Sequence, residues 1–187
     1  MMKRIFALAL ALVMLCAAAL ADQTVNFDDF TITFDDAAVG DIKEKKDGEA
    51  LFSVYPGYSK EKALNPNLDC TWYQNFENLD AYTPEEYAQL SLSGMVTTLD
   101  SMGIKITNPQ VLSSEMIDLN GAPALMMILY YEADYTGAGK DLVTPLYAAT
   151  IIANVEGLGC FAINATAADA DDLMLCCNII DTITWKK

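Results

Sequence analysis

Histidine is missing from all 187 residues. Its absence removes serine–histidine and cysteine–histidine catalysis, histidine-ligated zinc and an imidazole pH switch together. Positive charge is scarce as well: 11 Lys and Arg stand against 26 Asp and Glu, a formal net charge of −15. Such a surface repels nucleic-acid phosphates and anionic lipid headgroups; it can attract cations, cationic peptides and basic protein faces, and the competing reading is solubility alone. No C-x-x-C motif occurs, and linkers, repeats and low-complexity tracts are absent between residues 22 and 187, so one domain is expected there. With 53% apolar residues the chain is too hydrophobic for charge-driven disorder.

What is present begins with an export signal. Lys3 and Arg4 precede an uninterrupted apolar run from Ile5 to Leu15, and Ala19-Leu20-Ala21 offers a small-residue cleavage site before Asp22. The run is short for a membrane-spanning helix. Acylation at Cys16 is the lipoprotein alternative, and the bulky Leu15 before it argues against that. Residues 1–21 are therefore expected to be removed. The remaining 22–187, with nine basic and 26 acidic residues, would carry −17 and be secreted, with no stable membrane insertion. A chain of that length can bury roughly two thirds of its unfolded surface.

Phe30-Thr31-Ile32-Thr33-Phe34 alternates with the period of a half-buried strand. A hairpin is expected from Ile42–Lys46 through Asp47-Gly48 to Glu49–Tyr55, its charged first arm suiting an edge strand. Cys70 to Phe76 reads as a further strand. Thr83-Pro84-Glu85-Glu86 has the cap, the proline and the returning carboxylate of a helix start, and Gly103 ends that helix. Val111–Leu119 and Ala122–Glu132 meet across Asn120-Gly121, and Leu146–Val155 and Leu158–Ala167 across Glu156-Gly157. The central strands are apolar on both faces, so both must be covered. The covers expected are the helix from Pro84 and a last helix over Ala170–Ile183, whose N-terminal end carries Asp169, Asp171 and Asp172. The fold class is α+β: a single-domain twisted antiparallel sheet with helices on both faces.

The element order resembles the family of PsbP and the related Ran-binding Mog-type proteins. The similar stretches are "FDDFTITF", the Asp-Gly hairpin, the helix after "TPEEYAQL", the hairpin "LNGAPALMMILYYE" and the closing "DLMLCCNIIDTITW". The resemblance implies an α/β/α sandwich in a small exported or lumenal domain that binds or assists a larger partner without catalysing a reaction.

Four cysteines lie beyond residue 21. Cys176 and Cys177 are adjacent and cannot pair well with each other, since neighbouring Cα atoms lie about 3.8 Å apart. Leu173, Cys176, Cys177 and Ile180 instead follow the spacing of a buried helix stripe. A bridge from Cys160 to Cys176 or Cys177 is the remaining disulfide option, worth about 3 kcal/mol for so short a loop. Asp28-Asp29, Asp35-Asp36 and Asp169–Asp172 lack the calcium-loop pattern and read as solvated surface. The sequon Asn164-Ala165-Thr166 falls inside an expected strand and is discounted. The candidate ligand site is the aromatic–acid stretch Tyr130, Tyr131, Glu132, Asp134 and Tyr135, leading into Gly137-Ala138-Gly139, with Tyr73, Tyr82 and Tyr147 able to join it. The competing reading of those tyrosines is strand packing. No catalytic residue, metal site or cofactor is expected. The leading function is a secreted, non-catalytic binding or accessory module for a protein or a small cationic ligand, without nucleic acid. The alternative is an extracellular carboxylate-dependent hydrolase of cell-wall or polysaccharide substrates, which needs two acids in opposed environments across a cleft.

Overall fold

A computed structural model describes residues 22–35, 38–75 and 81–186. The expected export signal with Cys16, and also Asp36 and Phe76, lie outside the described residues. The chain runs β1 (Gln23–Asn26), β2 (Phe30–Phe34), β3 (Val39–Ile42), β4 (Ala50–Tyr55), β5 (Asn67–Tyr73), α1 (Pro84–Ser101), β6 (Lys105–Leu119), β7 (Ala122–Asp134), β8 (Val143–Val155), β9 (Gly159–Ala167), α2 (Ala170–Ile180) and β10 (Thr184–Trp185).

Seven strands form one antiparallel sheet in the order β3-β4-β5-β9-β8-β7-β6. α1 carries the chain from β5 to the far edge, and β6 to β9 then meander back until β9 pairs with β5. Two of the three meander turns are tight and follow their residues. Asn120 and Gly121 both take positive φ (54° and 90°), the type I′ hairpin signature, and Gly157 takes 78°. Close approach rather than φ requires Gly40: a Cβ there would sit 2.2 Å from the Ser53 carbonyl oxygen.

Both faces of the sheet are covered, by different means. On one face α1 packs over β6 and β7 through Leu92, Leu129, Tyr131 and Leu146. Its start is the expected capping box: Glu86 N–H donates to Thr83 Oγ1 (3.2 Å) and Thr83 N–H donates to Glu86 Oε2 (2.9 Å). The other face is covered by α2 together with a second, three-stranded sheet, β1-β2-β10, in addition to the helix expected there. Phe30, Ile32 and Phe34 of β2 press against Phe52, Phe161 and Ile163 of the large sheet. Phe30 and Phe161 meet edge-on at 5.6 Å, and Trp185 of β10 joins both rings. Burying each such side chain contributes about 1.5–3 kcal/mol.

Several expected boundaries move, among them the starts of β5 (Asn67 instead of Cys70), β6 (Lys105 instead of Val111) and β8 (Val143 instead of Leu146). α2 stops at Ile180 instead of Ile183, because Thr182 Oγ1 turns back to the Ile179 carbonyl (2.7 Å) while accepting the Thr33 N–H (2.8 Å), which launches β10 along β2. The first arm of the early hairpin is Val39–Ile42, not Ile42–Lys46. Lys43 N–H still reaches the Leu51 carbonyl, but beyond it the chain turns so that Lys45 pairs with Asp29 at 2.5 Å and lies 4.0 Å over the Trp72 ring. Lys45 is thus a tie between the two sheets rather than a guard on an edge.

Candidate functional site

The aromatic–acid stretch lies at the end of β7, where the two-residue period of a strand decides which side chains can meet. Tyr131 and Ala133 point under α1; Tyr131 is only 4% exposed, and burial pushes its phenol up to about 12. Tyr130 points to the opposite face and packs on Tyr147 of β8, ring centroids 5.2 Å apart. Glu132 shares the Tyr130 side and accepts from Thr107 Oγ1 (3.2 Å) and Asn108 Nδ2 (3.0 Å). Asp134 follows on that side. Its Oδ1 accepts from both the Thr136 hydroxyl (2.6 Å) and the Thr136 N–H (2.9 Å), which hold its carboxyl below the ordinary range. Tyr135 opens the 3₁₀ turn Thr136–Ala138, half-buried, with Lys140 6.0 Å from its ring.

The five candidates are therefore split. Tyr130, Glu132 and Asp134 form one accessible row with Tyr147, while Tyr131 belongs to the core. Tyr73 and Tyr82 lie elsewhere, packing beside Cys160 and against Tyr87 respectively. The glycine loop serves packing: Gly137 and Gly103 meet backbone to backbone, and a Cβ on Gly137 would lie 2.4 Å from the Gly103 carbonyl oxygen.

The same hairpin has a charge property that the row shares. From residue 106 to residue 139 there is no Lys or Arg, while Glu115, Asp118, Glu132 and Asp134 supply four carboxylates. None of the four makes an ion pair among the described residues; the three ion pairs there are Lys45–Asp29, Lys46–Glu49 and Lys62–Asp172. Lys105 and Asp134, opposite in the β6–β7 register, are the nearest approach to one. The hairpin at the edge of the sheet is thus acidic, with Lys105 at its open end as its one base.

A second polar assembly crosses the middle of the sheet on the α1 side. Thr150 Oγ1 donates to Asn164 Oδ1 (3.0 Å), and Asn164 Nδ2 donates to Asp69 Oδ1 (3.1 Å). From the other side Ser53 Oγ donates to Asn67 Oδ1 (3.4 Å), whose Nδ2 donates to Asp69 Oδ2 (3.2 Å). Side chains of four strands thus form one network around the Asp69 carboxylate, with Asn67 and Asn164 donating to it directly and Ser53 and Thr150 donating to those two amides. Burial raises the Asp69 pKa, and the two amide donors oppose it. Sequence reasoning missed this assembly because Asp69, Asn164 and Thr150 come from three separated strands; the one local signal is Asn67-x-Asp69. The sequon residue Asn164 is engaged here inside β9.

Two carboxylates with opposed shifts, Asp69 and Asp134, do exist. They lie on β5 and at the end of β7, with β9 and β8 between them. Three strand spacings put them at least roughly 14 Å apart, beyond the roughly 5–9.5 Å at which two acids flank one glycosidic bond. The pair cannot act on a single bond.

The cysteines are all free thiols among the described residues. Cys176 fills the expected α2 stripe with Leu173 and Ile180, and Cys177 packs half-buried beside it. Burial, reinforced by Cys177, Asp172 and Asp35, pushes the Cys176 thiol up to about 12. Cys160 is near in sequence but faces the other way, among Ala88, Leu125, Met127 and Ile152 under α1. The sheet itself stands between it and Cys176 or Cys177, so the remaining disulfide option is not taken up and the thiols pack as core. An open groove of about 970 Å³ at the turn end of the sheet is floored by Trp72, Gly121 and Gly157–Gly159, with Glu156 and the already paired Lys45 on its rim.

No family model matches the chain, and no curated protein matches its sequence. Solved structures do match. Cyanobacterial PsbP (CyanoP) from Synechocystis sp. PCC 6803 superposes with a TM-score of 0.57 at 12% identity, covering 91% of this chain and 97% of its own. The Saccharomyces cerevisiae Ran-binding protein Mog1p gives 0.54 at 10% identity, covering 89% and 96%. A point mutant of Mog1 gives 0.53 at 10%, covering 88% and 96%. At such identities the likeness is one of fold, and the fold is PsbP/Mog1-like.

Proposed function

We propose that this chain is an exported, non-catalytic binding or accessory module whose partner is a protein or a small ligand bearing positive charge. The observation that carries the reading is the β6–β7 hairpin, with four carboxylates, no basic residue from 106 to 139 and, among the described residues, no ion pair neutralising the acids. Unpaired acids at a sheet edge repel one another and lower the free energy of any cation brought to them. The Tyr130–Tyr147 pair beside Glu132 adds aromatic faces, and a cation over such a face gains about 0.5–1 kcal/mol at an exposed site. The PsbP/Mog1-like fold suits a binding module in general, and the Ran-binding name of Mog1p supports a protein as partner. Export is supported by Lys3-Arg4, the run Ile5–Leu15 and Ala19-Leu20-Ala21.

The test uses residues 22–187 immobilised and challenged with length-matched Lys-rich and Glu-rich peptides. The Lys-rich set is retained, and the variant E115Q/D118N/E132Q/D134N releases it. Equal retention of both sets, or retention untouched by the four substitutions, overturns the reading. Release of reducing ends from a cell-wall polysaccharide would restore the hydrolase. N-terminal sequencing of protein recovered from the culture medium should begin at Asp22.

A further inference from the structure

We propose that residues Ser113–Leu119 of β6 receive an extended basic segment of a partner protein as an additional strand of the seven-stranded sheet. This rests on the cationic-partner reading above and adds the mode of capture and the sequence pattern captured.

β6 is the last strand in the sheet order, so among the described residues nothing pairs with its outer side. Its two halves differ. The first half is guarded: Lys105 begins it, Asn108 takes a φ of 51°, Pro109 follows, and the register shifts between Thr107 and Gln110 and again between Val111 and Ser113. Lysine, proline and bulges are the devices that stop an edge from recruiting another strand. From Ser113 to Leu119 none of them occurs, and the pairing with β7 is regular throughout. Seven consecutive residues of undefended edge are a strand template.

The turn fixes which backbone groups are free. A type I′ turn at Asn120-Gly121 makes Leu119 and Ala122 a hydrogen-bonded pair, and in an antiparallel ladder bonded and non-bonded pairs alternate. Ile117, Glu115 and Ser113 therefore bond inward to β7, and Ser114, Met116 and Asp118 turn their N–H and C=O groups outward. The side chains alternate as well. Met116 shares the α1 side with Ser114 and Asp118, and Glu115 and Ile117 lie on the other side. Met116 is 49% exposed, and Leu112 at the head of this stretch is 50% exposed.

A strand added here places one residue opposite each of these. Opposite Asp118 and Glu115 a basic residue is favoured; opposite Ile117 and Met116 an apolar one. The pattern is basic–apolar–apolar–basic, and it reads the same in either strand direction. A second copy of this chain fits poorly, because each copy brings a formal charge of −15 and the same acids to the seam.

The probe is a fluorescein-labelled peptide carrying Lys-Val-Val-Lys between flanking threonines, titrated into residues 22–187. Binding should slow amide exchange at Ser114, Met116 and Asp118 by about tenfold or more, and leave the inward amides of Glu115 and Ile117 nearly unchanged. The same peptide N-methylated at both valines should bind about tenfold more weakly. Met116→Pro should weaken the unmodified peptide similarly, since proline is tolerated where its missing N–H faces away from the ladder. Should that variant fail to fold, the N-methylated peptide carries the test on the unaltered protein. Binding without protection at the three outward amides, or binding indifferent to N-methylation, overturns strand addition while leaving the cationic-partner reading intact. No binding of any Lys-rich peptide overturns both. Protection of the edge that grows with protein concentration alone makes a second copy the occupant and also overturns the proposal.

Discussion

Replacing Lys45 by Met should destabilise the protein by about 2–3 kcal/mol, between the 3–5 kcal/mol of breaking a buried ion pair and the 0–1 kcal/mol of a surface one. The intermediate value follows from the geometry. Asp29 is only 9% exposed, and the Lys45 side chain, 2.5 Å from its carboxylate, is 27% exposed. Without the ammonium that carboxylate is left nearly dry and uncompensated, and the contact of Lys45 over Trp72 at 4.0 Å is lost too. Asp29→Asn should cost less, about 1 kcal/mol, because it removes the charge along with its partner's role. The double variant should then show a coupling of at least about 1 kcal/mol. Urea unfolding followed by the fluorescence of Trp72 and Trp185 measures all four corners. Lys46→Met is the control: 3.5 Å from Glu49, with both side chains more than half exposed, it should cost no more than about 0.5 kcal/mol. If Lys45→Met costs as little as Lys46→Met, or if the Lys45 and Asp29 changes simply add, the pair does not tie the two sheets together.

Thr83→Ala removes one arm of the capping box and should lower stability by about 1 kcal/mol, read as a shifted urea midpoint with unchanged slope. Cys176, its thiol raised by burial, should resist iodoacetamide in the native state at neutral pH. The unfolded 22–187 chain should titrate four thiols with or without reductant, and Cys176→Ser should cost about 1–3 kcal/mol for a buried hydroxyl. Asp69 titrates with a raised folded-state pKa. Its contribution is thus fully present below the unfolded carboxylate range and is lost as pH rises through the folded value. The unfolding free energy of the wild type minus that of Asp69→Asn should fall from acid to neutral pH; a difference that rises or stays level contradicts the burial of that carboxylate.

Features governed by neighbours in the chain were legible from the residues alone. Thr83-Pro84-Glu85-Glu86 specifies its helix start through bonds spanning three residues, and Asn120-Gly121 specifies its turn through φ. The alternation of Phe30 to Phe34 specifies a buried face whatever lies opposite. What was not legible depends on partners far along the chain. β10 has two residues, too few to show a period, and its partner β2 lies about 150 positions earlier. Lys45 looks like any surface lysine until Asp29 and Trp72 are brought beside it. Cys160 is close to Cys176 in sequence, but strand parity sends it through to the other face. The same parity divides the tyrosines: Tyr130 and Tyr131 are neighbours in the chain and strangers in space. The acid excess of the β6–β7 hairpin is countable in the sequence, but its importance comes from β6 standing last in the sheet.

The central claim, that the undefended β6 edge selects basic partners, is tested most directly by reversing its charge. Glu115→Lys/Asp118→Lys keeps the Asn120-Gly121 turn residues, the α1 contacts and the outward backbone groups. It gives up two local bonds, from the Gly121 N–H to Asp118 Oδ1 (2.6 Å) and from Ser113 Oγ to Glu115 Oε1 (3.5 Å). Fluorescence anisotropy with the Lys-Val-Val-Lys peptide and its Glu-Val-Val-Glu counterpart then compares the two proteins. Selection at this edge predicts that the wild type prefers the lysine peptide and that the reversed protein prefers the glutamate one. An unchanged preference in the reversed protein would contradict it.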